Sequence, residues 1–271
     1  MVITSSANPR IKQIRKLHER KERQSTGLYY VEGLRIVAEA FQTGAPVVEM
    51  VIAPDLLVSE FGRDLAASQQ DAGTPVLEVT GSVFASLSSK EGPQGIAAVV
   101  QQTWTSLDTI KPNSDADWVA VDAVQDPGNL GTILRTNDAV GGRGIILLDH
   151  STDPYHPGTV RASMGAVFTQ RLIRTDLSTF IAWKKHTPIF LIGASGSAAA
   201  DYHDYRYPAP CILLMGSERL GLTEEHLGVC DAVVSIPMVG RSDSLNLAVA
   251  TGIILYEKFN QRRTQPKQAH L

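Results

Sequence analysis

Cysteine is scarce: the 271 residues include two, Cys211 and Cys230, too few for a disulfide scaffold or a four-cysteine zinc site. Long apolar runs are missing as well. The longest, such as Ile145–Leu148 and Ile189–Ile192, fall far short of a membrane span. The opening MVITSSANPR has no apolar core of the secretory type. No GxxxxGK[ST] occurs, and no GxGxxG opens a helix, since Gly141-Gly142-Arg143-Gly144 stands before a strand; a GxSxG elbow is also absent. His150 and His156 with Asp149 and Asp153 come nearest to a metal set, and they read as a polar loop. These absences leave a reduced, cytoplasmic protein without metal or membrane as the expectation. With 43% hydrophobic and 20% charged residues, the composition is that of an ordinary globular chain.

Charge is unevenly placed. The net charge is −3, yet residues 1–30 carry seven basic side chains (Arg10, Lys12, Arg15, Lys16, Arg20, Lys21, Arg23) against Glu19 and Glu22. Such a block suits either a contact with a polyanion or a solvated helix face. Ile11, Ile14 and Leu17 form one stripe, which predicts a single helix from Asn8 to Gln24, with Asn8 as its cap and Pro9 at its first position.

Short apolar runs alternate with helical stretches along the rest. Over 25–100, YYVEG, VVEMVIA, PVLEVT and GIAAVV read as strands and LRIVAEAFQTG as a helix, giving a small α/β domain over 1–105. Residues 106–116 lose periodicity and read as a linker. A second domain over 117–262 then carries strands 118–124, 144–149, 188–194, 211–216 and 232–237, a helix over 130–140 and a closing helix from about Leu245 to Gln261; a tail covers 263–271. Strands apolar on both faces imply a mostly parallel sheet with helices on both sides. The closing helix is apolar nearly all round, which favours burial in a subunit interface.

Ligands of open parallel sheets sit beyond the carboxyl ends of the strands, and three loops there are rich in glycine, asparagine and isolated charge. In Asp126-Pro127-Gly128-Asn129 a tight turn leads into a helix that Asn129 is placed to cap, with Arg135 farther along. In Met215-Gly216-Ser217-Glu218 the glycine allows close approach of a ligand to the backbone. In Gly240-Arg241-Ser242-Asp243-Ser244 a flexible loop enters the closing helix, with Ser244 as the expected cap. Each loop alone is equally an ordinary capped or exposed turn.

In this order, DPGNLGTILRTNDAVG (126–141), ILLMGSERLGL (212–222) and SIPMVGRSDSLNLAVATGIILYE (235–257) resemble the signature of the SpoU family of RNA methyltransferases, within the knotted SPOUT superfamily. YYVEGLRIVAEA (29–40) and LSSKEGPQGIAAVV (87–100) resemble that family's substrate-binding domain. The resemblance implies a C-terminal trefoil knot, an S-adenosyl-L-methionine cofactor, a homodimer and methylation of a ribose 2′-hydroxyl in structured RNA, ribosomal RNA first. Transfer RNA, or a non-catalytic RNA-binding role on the same scaffold, stay open as alternatives. Carried over by motif position, Asn129, Arg135, Glu218, Ser244 and Asn246 are the implied active-site residues. Leu214, Gly216, Ile236, Met238 and Leu245 are the implied cofactor-binding residues. Arginine is a poor proton acceptor, so Arg135 is expected to hold the acceptor through its phosphate and to stabilise developing negative charge.

Overall fold

The computed structural model describes residues 2–89, 91–112 and 117–264. In chain order the elements begin with α1 (Pro9–Lys16), α2 (Arg20–Thr26), β1 (Leu28–Glu32), α3 (Leu34–Gln42), β2 (Val47–Ile52), α4 (Glu60–Asp71), β3 (Val76–Glu78), α5 (Gly81–Ala85) and β4 (Ile96–Gln101). They continue with β5 (Trp118–Asp122), α6 (Pro127–Ala139), β6 (Gly144–Leu148), α7 (Pro157–Ser163), α8 (Ala166–Thr169), β7 (Arg171–Thr175) and α9 (Leu177–His186). The chain closes through β8 (Phe190–Ala194), β9 (Ala200–Asp201), β10 (Cys211–Met215), α10 (Glu224–Val229), β11 (Ala232–Ser235) and α11 (Leu247–Thr264).

The chain packs into two compact units, one taking it up to Gln102 together with Asp153–Thr169, the other taking Thr103–Thr152 and everything from Gln170 onward. The first unit therefore recruits α7 and α8 from the middle of the sequence. Its sheet has the order β1-β4-β2-β3, with β4 antiparallel to both neighbours and β3 parallel to β2. Ile11, Ile14 and Leu17 of the N-terminal stripe are buried in its core with Val51, Phe84 and Val99.

The N-terminal helix is two helices rather than one. Asn8 caps the first as expected, its side chain accepting from Arg10 N at 2.8 Å, with Pro9 at the start. The helix then stops at Leu17, because the buried Arg23 guanidinium donates to the Leu17 and His18 carbonyls at 2.8 Å each, while the His18 ring pairs with the Leu87 carbonyl at 2.8 Å. Arg23 itself is 1% exposed and bridges to Asp153 at 2.8 Å. The basic block is thus partly spent on structure: Arg10 pairs with Glu49 and Arg15 with Ser86, and Lys12, Lys16 and Lys21 are left on the exposed surface.

The second unit is built on a seven-stranded sheet of order β7-β6-β5-β10-β8-β11-β9, parallel throughout. Its inner strands β5, β6 and β10 are buried at every position, as continuous apolar runs demand. Leu107 and Ile110, inside the stretch that reads as linker, are buried against Trp118 and Ile173, so this part of the chain is core; residues 113–116 lie outside the described set. Strand β7 was not visible in sequence, where 150–187 reads only as a polar segment: it is an edge strand with Arg171 exposed and Arg174 lying over the Trp104 ring at 4.1 Å. No helix among the described residues is long and apolar enough to cross a membrane.

Candidate active site

Strand β5 ends in a loop where Ala123 takes a φ of +46°, uncommon for a residue other than glycine, and α6 follows at Pro127. Asp126, not Asn129, caps that helix, accepting from Asn129 N at 2.7 Å. The side chain of Asn129 is therefore free to reach elsewhere. Its Nδ2 donates to Glu218 Oε1 at 2.5 Å, and its Oδ1 accepts from Asn246 Nδ2 at 3.0 Å. The second Glu218 oxygen accepts from Gln125 N at 3.3 Å. Asn246 in turn caps α11, accepting from Ala248 N at 3.0 Å and Val249 N at 3.2 Å. That replaces the expected Ser244 cap: Ser244 Oγ donates to Asp243 at 3.3 Å instead, and α11 starts two residues later than Leu245. An unbroken hydrogen-bond chain, Asn246 to Asn129 to Glu218 to the Gln125 amide, thus joins three loops that are far apart in sequence.

Glu218 is held in place by a short turn in which Ser217 and Gly221 exchange backbone hydrogen bonds at 3.2 and 2.9 Å. A Cβ at Gly216 would fall on the Gly221 and Leu222 backbone, so this glycine is required by the turn folding back on the strand end as well as by any ligand. Behind the turn, His226 Nδ1 pairs with Thr223 Oγ1 at 2.7 Å and its Nε2 lies 3.5 Å from Asp122 Oδ2. Burial raises the Asp122 carboxyl above its usual range, with His226 pulling against it and Asp149 adding to it.

A cleft of about 770 Å³ opens beyond the carboxyl ends of β8, β10 and β11, within the size range of small-molecule and cofactor sites. Gly216, Ile236, Met238 and Leu245 line it, together with Asn129, Glu218, Ser244 and Asn246. Two of the implied residues stand apart. Leu214 is fully buried in the core with Trp118 and Ile212 and does not line the cleft; its neighbours Met215 and Gly216 do. Arg135 sits on the exposed side of α6, outside the hydrogen-bonded group, and makes no hydrogen bond or ion pair among the described residues. A fourth loop, Ser195-Gly196-Ser197 after β8, also lines the cleft. Its sequence signal, a small-residue turn after a buried strand, follows the same rule as the other three loops.

The cleft fits an S-adenosyl nucleoside. Its lining combines apolar side chains (Met215, Val234, Ile236, Leu245), the small residues Gly216 and Ser195–Ser197, and polar groups that include Asn129, Glu218 and Asp243. Among the described residues, no three His, Cys, Asp or Glu side chains are placed to hold a metal ion.

Comparison with known proteins bears on the lineage of the chain. Residues 118–256 match the SpoU rRNA Methylase family, and residues 8–98 match an MRM3-like substrate binding domain. A 23S rRNA (uridine(2479)-2′-O)-methyltransferase of Streptomyces viridochromogenes is 32% identical over 95% of this chain and 92% of its own length. A 23S rRNA (guanosine(2553)-2′-O)-methyltransferase of Bacillus subtilis is 30% identical over 94% of this chain and 97% of its own. The AdoMet-bound rRNA methyltransferase of Sinorhizobium meliloti superposes with a TM-score of 0.87 at 37% identity, covering 98% of this chain and 99% of that one. The family match spans residues 118–256 and the relatives cover nearly the whole chain, so the chain belongs to the SpoU rRNA Methylase family.

Proposed function

We propose that this protein methylates a ribose 2′-hydroxyl of ribosomal RNA, using S-adenosylmethionine bound in the cleft between β8, β10 and β11. The observation that carries the reading is the convergence of Asn129, Glu218 and Asn246 at the mouth of a cleft lined by Gly216, Ile236, Met238 and Leu245. Two relatives similar over nearly the whole chain act on 23S rRNA at ribose 2′-oxygens.

When bound, the cofactor supplies an electrophilic sulfonium methyl. The protein's own work is to hold the acceptor in line and to stabilise the oxygen as its proton leaves. Gly216, Ile236, Met238 and Leu245, with Met215 and the Ser195–Ser197 loop, would enclose the nucleoside. Leu214 acts from beneath as core packing. Asn129 and Asn246 fix Glu218 and join the helix starts of α6 and α11, and Ser244 stands on the same loop at the cleft. Arg135, exposed and unpartnered on α6, is positioned to take a substrate phosphate and to favour negative charge on the acceptor oxygen. The reading includes the C-terminal trefoil knot that the family resemblance implies for the segment carrying Asn246. It also places the protein in the cytoplasm, where an assembling ribosome is met.

The test is direct. Calorimetry with S-adenosylmethionine and its demethylated product should show binding without added metal, and ribose-methylation mapping should lose one ribosomal RNA signal in cells lacking the gene. Binding of NAD or ATP with no response to either S-adenosyl compound would sink the reading, and a lost signal in transfer RNA would redirect it.

The reading extends to a homodimer. On α11, Val249 is 51% and Tyr256 48% exposed, and the half-buried Gly252 and Ile253 between them complete an apolar stripe. Two-fold pairing is the commonest way such a stripe is covered. Light scattering at micromolar concentration should give twice the chain mass, and Val249→Glu with Tyr256→Glu should halve it. A wild-type mass of one chain at those concentrations would rule the dimer out.

A further inference from the structure

The connection between β10 and α10, which carries Glu218, is tied twice to the connection between β5 and α6. At its tip, Glu218 accepts from Asn129 Nδ2 and from Gln125 N. At its base, His226 of α10 lies against Asp122, the last residue of β5. The first tie belongs to the active site. The second lies outside the cleft lining and has no part in methyl transfer as described above.

Both members of the second tie are buried, His226 at 2% and Asp122 at 9% exposure. The ring's tautomer is fixed by its neighbours. Its Nδ1 accepts from Thr223 N at 3.2 Å, and a backbone N–H can only donate, so the neutral ring carries its proton on Nε2. That N–H faces Asp122 Oδ2 at 3.5 Å, longer than a charge-assisted hydrogen bond, and Nε2 has no hydrogen-bond partner among the described residues. A buried donor held short of its acceptor costs free energy. The acceptor is costly as well: burial raises the Asp122 carboxyl above its ordinary range, His226 opposes this, and Asp149 adds to it by charge and by hydrogen bond. Asp149, and Ala123 next to Asp122, both take a φ of +46°, uncommon outside glycine. Apolar side chains would fill this space at less cost. Strained backbone and ill-matched buried groups directly behind an active site are a pattern that function, not stability, retains.

We propose that His226 and Asp122 are a positioning pair for Glu218: the Nε2–H held toward the carboxylate fixes the base of the turn that carries Glu218, through the Thr223 cap, so that Glu218 meets the Gln125 amide and Asn129 in one orientation. Thr223 directly follows the Ser217–Leu222 turn, and Asp122 stands three residues before Gln125, so a shift at the base moves both sides of the tip. A misplacement of about 1 Å near the reacting atoms is enough to cost roughly a hundredfold in rate. The inference rests on the methyl-transfer reading and adds two residues to it that do not touch the substrate or the cofactor.

The experiment replaces the two ring nitrogens one at a time in the full chain. Asparagine puts an oxygen near the Nδ1 position, which keeps the bond from Thr223 N and loses the contact to Asp122. Glutamine extends an N–H toward the Nε2 position and loses the bond from Thr223 N. Single-turnover methylation of the identified RNA should fall about 10–100-fold in His226→Asn and at most about threefold in His226→Gln, with RNA and S-adenosylmethionine affinities nearly unchanged in both. Asp122→Asn should lower the rate to the same order while its melting temperature holds or rises, because a buried charge beside Asp149 is removed. Asp122→Asn combined with His226→Asn should be no slower than the slower single variant. NMR of the Gln125 amide reports the geometry directly: its resonance should move and its exchange quicken in His226→Asn and Asp122→Asn, and stay near wild type in His226→Gln. A rate for His226→Asn equal to wild type, or above that of His226→Gln, would reduce the histidine to a helix cap and overturn the proposal. Losses that multiply in the double variant, or an Asp122→Asn protein that loses stability along with rate, would overturn it too, and this cycle decides even where the glutamine variant does not fold. Absence of methylation by the wild-type chain would remove the methyltransferase reading instead, and the Gln125 amide still separates the cases: an amide unmoved by His226→Asn overturns the positioning by itself.

Discussion

Arg135→Ala should slow single-turnover methylation of the identified RNA by about 10²–10⁴-fold while leaving S-adenosylmethionine affinity nearly unchanged. The side chain is exposed on α6 and makes no hydrogen bond or ion pair among the described residues, so its removal costs the fold little, within ~0.5 kcal/mol for an ordinary surface substitution. It also lies outside the cleft lining, which separates its loss from cofactor binding. An interaction that strengthens as the acceptor oxygen gains charge lowers the rate constant more than it lowers ground-state binding. Arg135→Lys should rescue in part, because the ammonium keeps the charge and loses the planar fork that holds two oxygens at once. Arg143→Ala, exposed and outside the loop junction, is the control and should be silent. Equal single-turnover rates for wild type and Arg135→Ala would take the residue out of the mechanism.

The largest effect on stability should come from Arg23→Ala, at about 3–5 kcal/mol, the cost of removing one partner of a buried ion pair. Arg23 is 1% exposed, bonds Asp153 at 2.8 Å and also holds the Leu17 and His18 carbonyls, so alanine would leave a buried carboxylate and two carbonyls without their donor. Arg23→Lys should recover only part, since one ammonium cannot span the three acceptors. All three tryptophans, Trp104, Trp118 and Trp183, lie in the second unit, so their fluorescence is a poor probe of this change. Hydrogen exchange is the direct one: protection should fall together in residues 9–26 and 153–169. Unchanged protection in 153–169 would show that the pair does not hold that segment. The same contact makes deletion of the N-terminal hundred residues an unclean dissection, because it would strip Asp153 and Tyr155 of the partners Arg23 and Tyr29.

Much of this architecture was readable from local pattern. Strands β5, β6, β8, β10 and β11 are short apolar runs because a parallel strand covered on both faces tolerates little else, and each fell where the runs lie. The cap and proline at Asn8-Pro9 were legible because a cap needs only its own next turn. The loops carrying Asn129, Glu218 and Asn246 were legible as small polar turns at strand ends and as a motif in order. Strand β7 was hidden because an edge strand may alternate arginine with leucine and isoleucine and so look like a polar loop.

The alternation of buried strands and helices, the parallel sheet and the candidate residues at its carboxyl edge all follow from side-chain chemistry within a few positions and so were legible in the sequence. How those residues are used depends on contacts between distant parts of the chain. Asp126 took over the cap and released Asn129 to Glu218, 89 positions away. Asn246 displaced Ser244 as the cap of α11 and met Asn129 at a separation of 117. Arg23 left the basic face to break the first helix and bind Asp153, 130 positions on. In each case two or three local arrangements differ by about 1 kcal/mol, the worth of a single cap or hydrogen bond, and the distant partner that folding brings within 3 Å settles the choice.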